Sequence, residues 1–205
     1  MKVSLIDCSP KEKKSTSLYL LECIRDKLNE KDIHDITILK CDDMINLNGQ
    51  DVIVFSAPLY DDTIPSKLIE ALGNNEKQIG SENPDLTVYL LSNNAFYEPE
   101  HNKYSVDIIK YWCDHAKIRF GGAVCVGAGP IIKMAPLGTG LTKDLGNGLD
   151  ILSHAINNKS VLTDDLYISL SCSMSSYMEK ANLNWIKAAE KRGLSEDDLL
   201  SHLII

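Results

Sequence analysis

Short runs of mainly apolar residues recur along the chain, and segments with helical spacing separate them. The runs occupy residues 3–6, 36–39, 52–55, 86–91 and 123–126. A strand that is apolar throughout is buried on both faces, which is typical of parallel strands covered by helices on either side. The pattern therefore predicts a three-layer α/β fold around a doubly wound, five-stranded parallel sheet.

Helix signals fill the intervals between these runs. The first helix follows residue 15, with Ser15, Thr16 or Ser17 available as its N-cap. Pro65 predicts the start of the second helix and Gly73 its end. Further helices are predicted around residues 106–116, 145–156 and 174–192, and residues 195–198 cap a last short helix.

The chain of 205 residues suits one domain, because it holds no linker, internal repeat or low-complexity segment. We expect a single domain over residues 1–205, with a core over 1–160 and a helical C-terminal extension over 161–205. Residues 166–170 are ambiguous, since they fit a strand, an extended connection or the start of a helix.

Composition narrows the classes of function. The formal net charge of −8 disfavours nucleic acid and anionic membrane surfaces as partners. The six cysteines form no C-x-x-C pair and match no zinc or iron–sulfur spacing, so we expect buried thiols in a reducing cytoplasm and no metal site. No apolar run approaches 18 residues, and a cytoplasmic protein is predicted.

The loop after the first strand is the strongest candidate for a ligand site. In the strand order 2-1-3-4-5, the loops after strands one, three and four meet where the order reverses. The first loop carries the hydroxyls of Ser9, Ser15, Thr16 and Ser17 together with three lysines, and it leads into a helix N-terminus, which favours phosphate. A solvated basic loop with an ordinary N-cap explains the composition equally well. Neither a P-loop nor a G-x-G-x-x-G motif is present.

Two further loops complete the predicted site. Pro58, Leu59 and Tyr60 follow the third strand, where an aromatic ring can line a flat ligand. A turn with a packing tyrosine is the alternative. Ser92 and Asn93 follow the fourth strand and are expected to form a third side of the predicted site.

Taken together, these segments resemble the NAD(P)H-dependent FMN reductases and iron–sulfur flavoproteins, a flavodoxin-like group. Residues 6–16, I-D-C-S-P-K-E-K-K-S-T, are similar to that group's N-G-S-P-R-x-x-x-N-T loop. Residues 51–60, D-V-I-V-F-S-A-P-L-Y, with I-P-S-K-L at 64–68, are similar to its G-S-P-V-Y block followed by I-P and K. The resemblance extends over nearly the whole chain.

The resemblance implies a flavodoxin-like fold, bound FMN, hydride transfer from NAD(P)H through the flavin to a small acceptor, and a homodimer. It assigns the FMN phosphate to Ser9, Lys11, Ser15 and Thr16. It assigns the isoalloxazine ring to Pro58, Leu59 and Tyr60, and the third flavin loop to Ser92 and Asn93.

The sequence departs from the family at several positions. Cys8 stands where the family has glycine, and Asp61 and Asp62 stand where it has aromatic or small residues. Two carboxylates beside a flavin would disfavour its anionic reduced form, unless they face solvent. Cys41 alone occupies the region of the family's cluster-binding cysteines, so no [4Fe–4S] cluster is expected.

Three functions remain open at this stage. The first is a flavin-dependent oxidoreductase, which needs no acid–base pair of the protein because FMN supplies the chemistry. The second is a flavodoxin-like electron carrier, and the third is a flavin-free relative with a structural or regulatory role. Tyr104, Tyr111 and the loop 127–140 fit either a dimer interface or a lid over the site, whereas core packing is the simpler interpretation of Trp112.

Overall fold

The computed structural model describes residues 1–12, 14–29, 35–43 and 47–201. Within them the strands form one parallel sheet in the order β2-β1-β3-β4-β5-β6. The strands are β1 (Lys2–Asp7), β2 (Asp35–Lys40), β3 (Val52–Pro58), β4 (Thr87–Asn93), β5 (Arg119–Val126) and β6 (Leu166–Ile168). The central strands β1, β3 and β4 are buried almost throughout, as strands covered on both faces must be.

The helices cover the sheet in two pairs. α1 (Thr16–Asn29) contacts α4 (Lys143–Asn158), and α2 (Ser66–Glu82) contacts α3 (Lys103–Ala116). Trp112 of α3 is buried, packs edge-on against Phe55 and donates to the carbonyl oxygen of Leu72 at 2.8 Å. The core interpretation of this tryptophan is therefore confirmed, whereas Tyr104 and Tyr111 of the same helix are exposed.

A second compact unit begins at Cys172 and contains α5 (Met174–Glu190) and α6 (Glu196–Ser201). Ser173 caps α5 by accepting a hydrogen bond from the amide of Ser176. Ser195 caps α6 by accepting from the amide of Asp198 at 3.2 Å, while the Asp198 carboxylate accepts from the amide of Ser195. The predicted short terminal helix and its cap are therefore confirmed.

Two sequence predictions about the fold were wrong. The sheet has a sixth strand, because Leu166–Ile168 pairs with β5 inside the segment 161–205 that was assigned to a helical extension. Gly73 does not end α2, which continues to Glu82. Gly73 is open to solvent and its backbone is not left-handed, so the helix continues through this residue.

None of the helices in the described part of the chain combines the length and the apolar character needed to cross a bilayer.

Candidate functional site

A cavity of about 760 Å³ lies at the carboxyl ends of β1 and β2, beside the first turn of α2. It is lined by residues 7–10 and 12 at the end of β1, by residues 40–42 at the end of β2, by residues 60–61 and 63–65 between β3 and α2, and by residues 66, 67 and 69 of α2. The volume falls within the range of small-molecule and cofactor sites. Of the ten predicted ligand residues, Ser9 and Tyr60 line this cavity.

A partly buried ion pair organises the first loop. The Asp7 carboxylate is 1% exposed and accepts from the Lys40 ammonium at 2.7 Å and from the amide of Ser9 at 3.0 Å. Lys40 also donates to the carbonyl oxygen of Lys11 at 2.8 Å. A buried carboxylate is tolerated when it is paired and hydrogen-bonded, so this pair fixes how the chain leaves β1.

The hydroxyls of the first loop already have partners within the protein. Ser15 caps α1, since its hydroxyl accepts from the amide of Leu18 at 2.9 Å. Ser17 is buried, and its hydroxyl accepts from the side-chain amide of Asn93 at 3.0 Å. Thr16 donates to the carbonyl oxygen of Gly129 at 3.5 Å. These hydroxyls hold the loop to the segments after β4 and β5.

Lys133 binds the same loop from the segment after β5. Its ammonium donates to the carbonyl oxygens of Lys14 and Ser15, at 2.9 and 2.8 Å. Burial lowers the pKa of Lys133, and the charges of Lys11 and Lys14 lower it further, against the opposing effect of Glu22. The segment after β5 is therefore packed on the first loop and carries a cation to the N-terminus of α1.

The segment after β3 is a tight two-residue hairpin that places Tyr60 at the cavity. The amides of Tyr60 and Thr63 each donate to the other's carbonyl oxygen at 2.9 Å. Asp61 and Asp62 between them have φ values of 45° and 59°, the pattern of a type I′ turn. Aspartate tolerates this left-handed backbone better than most residues, and both aspartates are exposed. Their place in the sequence is thus explained by the turn.

The remaining predicted residues do not line the cavity. Pro58 and Leu59 are half-buried, and the amide of Leu59 donates to the carbonyl oxygen of Asn93 at 2.8 Å. Ser92 is buried and donates to the side-chain oxygen of Asn102 at 2.8 Å. Lys11 is exposed on the first loop, where its side chain faces solvent. The loops after β3 and β4 are therefore joined to each other, as the predicted strand order requires.

Sequence reasoning missed several cavity residues, chiefly those contributed by β2. Lys40, Cys41 and Asp42 line the cavity, and Asp42 is paired with the ammonium of Lys67 from α2. The signal was present in the chain, because β2 was predicted to lie beside β1 and to end near residue 39. The predicted site lay on the opposite side of β1, toward β3.

Two thiols meet at the floor of the cavity. Cys8 and Cys41 are 2% and 5% exposed, and both line it. Burial raises the pKa of Cys8 well above that of an ordinary thiol, and the neighbouring Cys41 raises it further. A hydrogen bond from the Cys8 thiol lowers the pKa of Cys41, against the opposing effect of burial.

Known structures resemble this fold at low sequence identity. A flavodoxin from Streptococcus pneumoniae superimposes with a TM-score of 0.58 at 13% identity, over 78% of this chain and 99% of that one. An FMN-dependent NADH-azoreductase from Bacillus anthracis, solved with FMN, gives 0.54 at 14% identity, over 76% and 99%. A flavodoxin variant from Pseudomonas aeruginosa gives 0.54 at 10% identity, over 77% and 99%.

No protein-family model and no curated protein sequence matches the chain. At the identities given above, structural likeness is evidence about the fold alone. The chain therefore has a flavodoxin-like α/β fold, a parallel sheet with helices on both faces, extended by the sixth strand β6.

Proposed function

We propose that the protein binds FMN and uses it to transfer hydride or electrons from NAD(P)H to a small acceptor. The observation that carries the proposal is the cavity at the carboxyl edge of the sheet, where Ser9 and Tyr60 face the same space beside the loop that leads into α1. In doubly wound sheets this edge is where ligands bind.

The size and shape of the site fit FMN. The cavity is large enough for a cofactor, and the exposed Tyr60 ring at its rim offers an aromatic surface to an isoalloxazine, next to the half-buried Pro58 and Leu59. The N-terminus of α1 offers its first amides and the positive end of its dipole to a phosphate.

The charges of the site support a position for the phosphate. The carboxylates of Asp7 and Asp42 are paired with lysines, and Lys11 and Lys14 are exposed cations on the first loop. We assign the phosphate to Ser9, Lys11 and the amides of Ser15, Thr16 and Ser17. Ser92 and Asn93 support the loops from behind, because their side chains are bound within the protein.

FMN, when bound, supplies the hydride chemistry. The protein's part is to hold the ring against Tyr60, to fix the phosphate at α1 and to leave one face of the ring open to the nucleotide. Such a site needs no acid or base from the chain. We further propose a cytoplasmic homodimer, in which the exposed Tyr104 and Tyr111 of α3 lie at the interface.

One observation favours a second candidate, a flavin-free relative. The hydroxyls of Ser15 and Ser17, which a phosphate would use, are bound by Leu18 and Asn93. A loop closed by its own hydrogen bonds can serve a structural role without any ligand.

A turnover assay distinguishes the candidates. Purified protein, supplied with FMN, is mixed with NADH or NADPH and a quinone, and nucleotide oxidation is followed by absorbance. We expect oxidation that requires both protein and FMN. Tyr60→Ala should weaken FMN binding about five- to tenfold, as expected for the loss of one aromatic contact. Ile151→Ala, which truncates an exposed apolar residue of α4, is the control and should leave FMN affinity unchanged.

Two other results of this assay would favour the alternative functions. Protein that binds FMN tightly but oxidises neither nucleotide would act as an electron carrier. Protein that is colourless and takes up no FMN would contradict the proposal and favour the flavin-free relative.

A further inference from the structure

Cys8 and Cys41 occupy equivalent positions at the ends of two neighbouring strands. β1 and β2 are paired in parallel, and their last paired residues are Asp7 and Lys40. Cys8 and Cys41 each come next in the chain. Neighbouring strands lie about 4.8 Å apart, and disulfides join Cα atoms about 4.4–6.8 Å apart. The register therefore brings the two cysteines within the range of a disulfide.

Both thiols lie on the same face of the sheet. They pack in the apolar cluster that Ile6, Leu39 and Ile64 also join, on the side covered by α2. The Cys8 thiol donates to the carbonyl oxygen of Ile6 at 3.5 Å, and the Cys41 thiol donates to the carbonyl oxygen of Lys67 at 3.6 Å. The two thiols are close enough for each to change the pKa of the other.

The pair is accessible through the cavity. Both side chains line it, and its rim includes the exposed residues Glu12, Asp61 and Lys67. A molecule that enters the cavity from solvent therefore reaches both sulfurs, although little of either is exposed to bulk water.

From this geometry we propose that Cys8 and Cys41 form a redox-active dithiol that is oxidised to a disulfide by small organic disulfides entering the cavity. The proposal does not depend on FMN, because the reaction needs only the two thiols and the incoming disulfide.

The two cysteines have different parts in the exchange. The Cys41 thiolate attacks one sulfur of the incoming disulfide, R–S–S–R, and the first RS⁻ leaves with the electron pair of the broken bond and takes up a proton. The Cys8 thiol then loses its proton and attacks the Cys41 sulfur, which expels the second RS⁻. The net change oxidises two thiols to one disulfide and reduces R–S–S–R to two RSH.

The electrostatic surroundings agree with this order. The Cys8 thiol and the Lys67 ammonium favour a thiolate at Cys41, whereas burial and the carboxylates of Asp42 and Asp7 oppose it, and the resulting pKa is lowered. A thiol with a lowered pKa is the better nucleophile at neutral pH. Burial instead raises the pKa of the thiols at Cys23, Cys113 and Cys125.

Peptide mapping tests the proposal. Native protein is treated with the neutral probe 2-hydroxyethyl disulfide, its remaining thiols are alkylated, and the protein is digested with trypsin. Cys8 lies alone in the tryptic peptide 3–11 and Cys41 alone in the peptide 41–67. We expect these two peptides to be linked by a disulfide, with two molecules of 2-mercaptoethanol released for each link.

Single substitutions separate the two steps. Cys8→Ser should stop the reaction at a mixed disulfide on Cys41. Cys41→Ser should leave Cys8 reacting at least about tenfold more slowly, because burial keeps the Cys8 thiol protonated. Cys23→Ser, which removes a half-buried thiol of α1, is the matched control and should form the link as the unaltered chain does.

The proposal would be overturned if the treated native protein gave peptides 3–11 and 41–67 as separate peptides, each alkylated. A link that forms only after the protein is unfolded in urea would also overturn it. Both results are read from the unaltered chain, so they hold even if a substituted chain does not fold.

Discussion

Two glycines of α2 provide an internal comparison, because alanine should act on them in opposite directions. A Cβ added at Gly73 meets nothing within 4 Å, and the residue is exposed in the middle of a regular helix. Alanine there restricts the unfolded chain and favours the helix without any steric cost. We expect Gly73→Ala to raise the free energy of unfolding by about 0.5–1 kcal/mol.

Gly80 lies further along the same helix, where α2 crosses α3. A Cβ there would lie 1.9 Å from the carbonyl oxygen of Ala116, well inside the 3.0 Å below which such contacts essentially never occur. Forcing the helices apart costs about 1–3 kcal/mol, and the gain in helix propensity offsets about 1 kcal/mol of it. Gly80→Ala should therefore lower the free energy of unfolding by up to about 2 kcal/mol.

Urea unfolding followed by far-UV circular dichroism measures both effects. If the free energy of unfolding falls with urea concentration at the same slope in the variants and in the unaltered protein, the compactness of the unfolded state is unchanged. Destabilisation by Gly73→Ala would refute the reasoning, because it is the result expected if Gly73 ended the helix in a left-handed conformation. Stabilisation by Gly80→Ala would refute the close crossing of α2 and α3.

Three further predictions test the loops of the site. Asp62→Gly creates the Asp-Gly pair preferred in type I′ turns and should stabilise the protein by about 0.5–1 kcal/mol in urea unfolding; destabilisation would contradict the turn type. Ser17→Ala should lower the free energy of unfolding by about 1–2 kcal/mol, because the side-chain amide of Asn93 loses a buried acceptor. The FMN dissociation constant should change less than about twofold, because the phosphate is proposed to bind the backbone amide of residue 17 and not its hydroxyl. The rate at which Cys41 reacts with a neutral disulfide should rise with pH and reach its plateau at a pH below the pKa of an ordinary thiol. Cys8→Ala should shift this profile to higher pH. An unshifted profile would show that Cys8 does not stabilise the Cys41 thiolate.

The sheet could be predicted from the sequence because its signal is local. A strand buried on both faces is apolar along most of its length, and each of the five predicted runs became a strand of the parallel sheet. β6 could not be predicted in this way. It has three residues, two of them only half-buried, and it exists because β5 offers a paired edge.

The site was harder to predict, because its contacts join distant parts of the chain. Ser17 is bound by Asn93, 76 residues away, and Ser15 is approached by Lys133, 118 residues away. Composition shows that hydroxyls are present in a loop, but not whether the protein itself uses them. The pairing of Cys8 with Cys41 follows from the register of β1 and β2, which depends on how the two strands bury their side chains.

Direct titration of the purified protein with FMN, followed by quenching of flavin fluorescence, tests the central claim. We predict saturable binding to one site per chain. Lys11→Glu should weaken it at least about fivefold, since it places a like charge beside the phosphate. Lys77→Glu, an equal charge reversal at an exposed residue of α2 about two turns beyond Ile69 of the cavity lining, should have no effect. The absence of saturable binding, or equal weakening by both substitutions, would contradict an FMN site at the first loop.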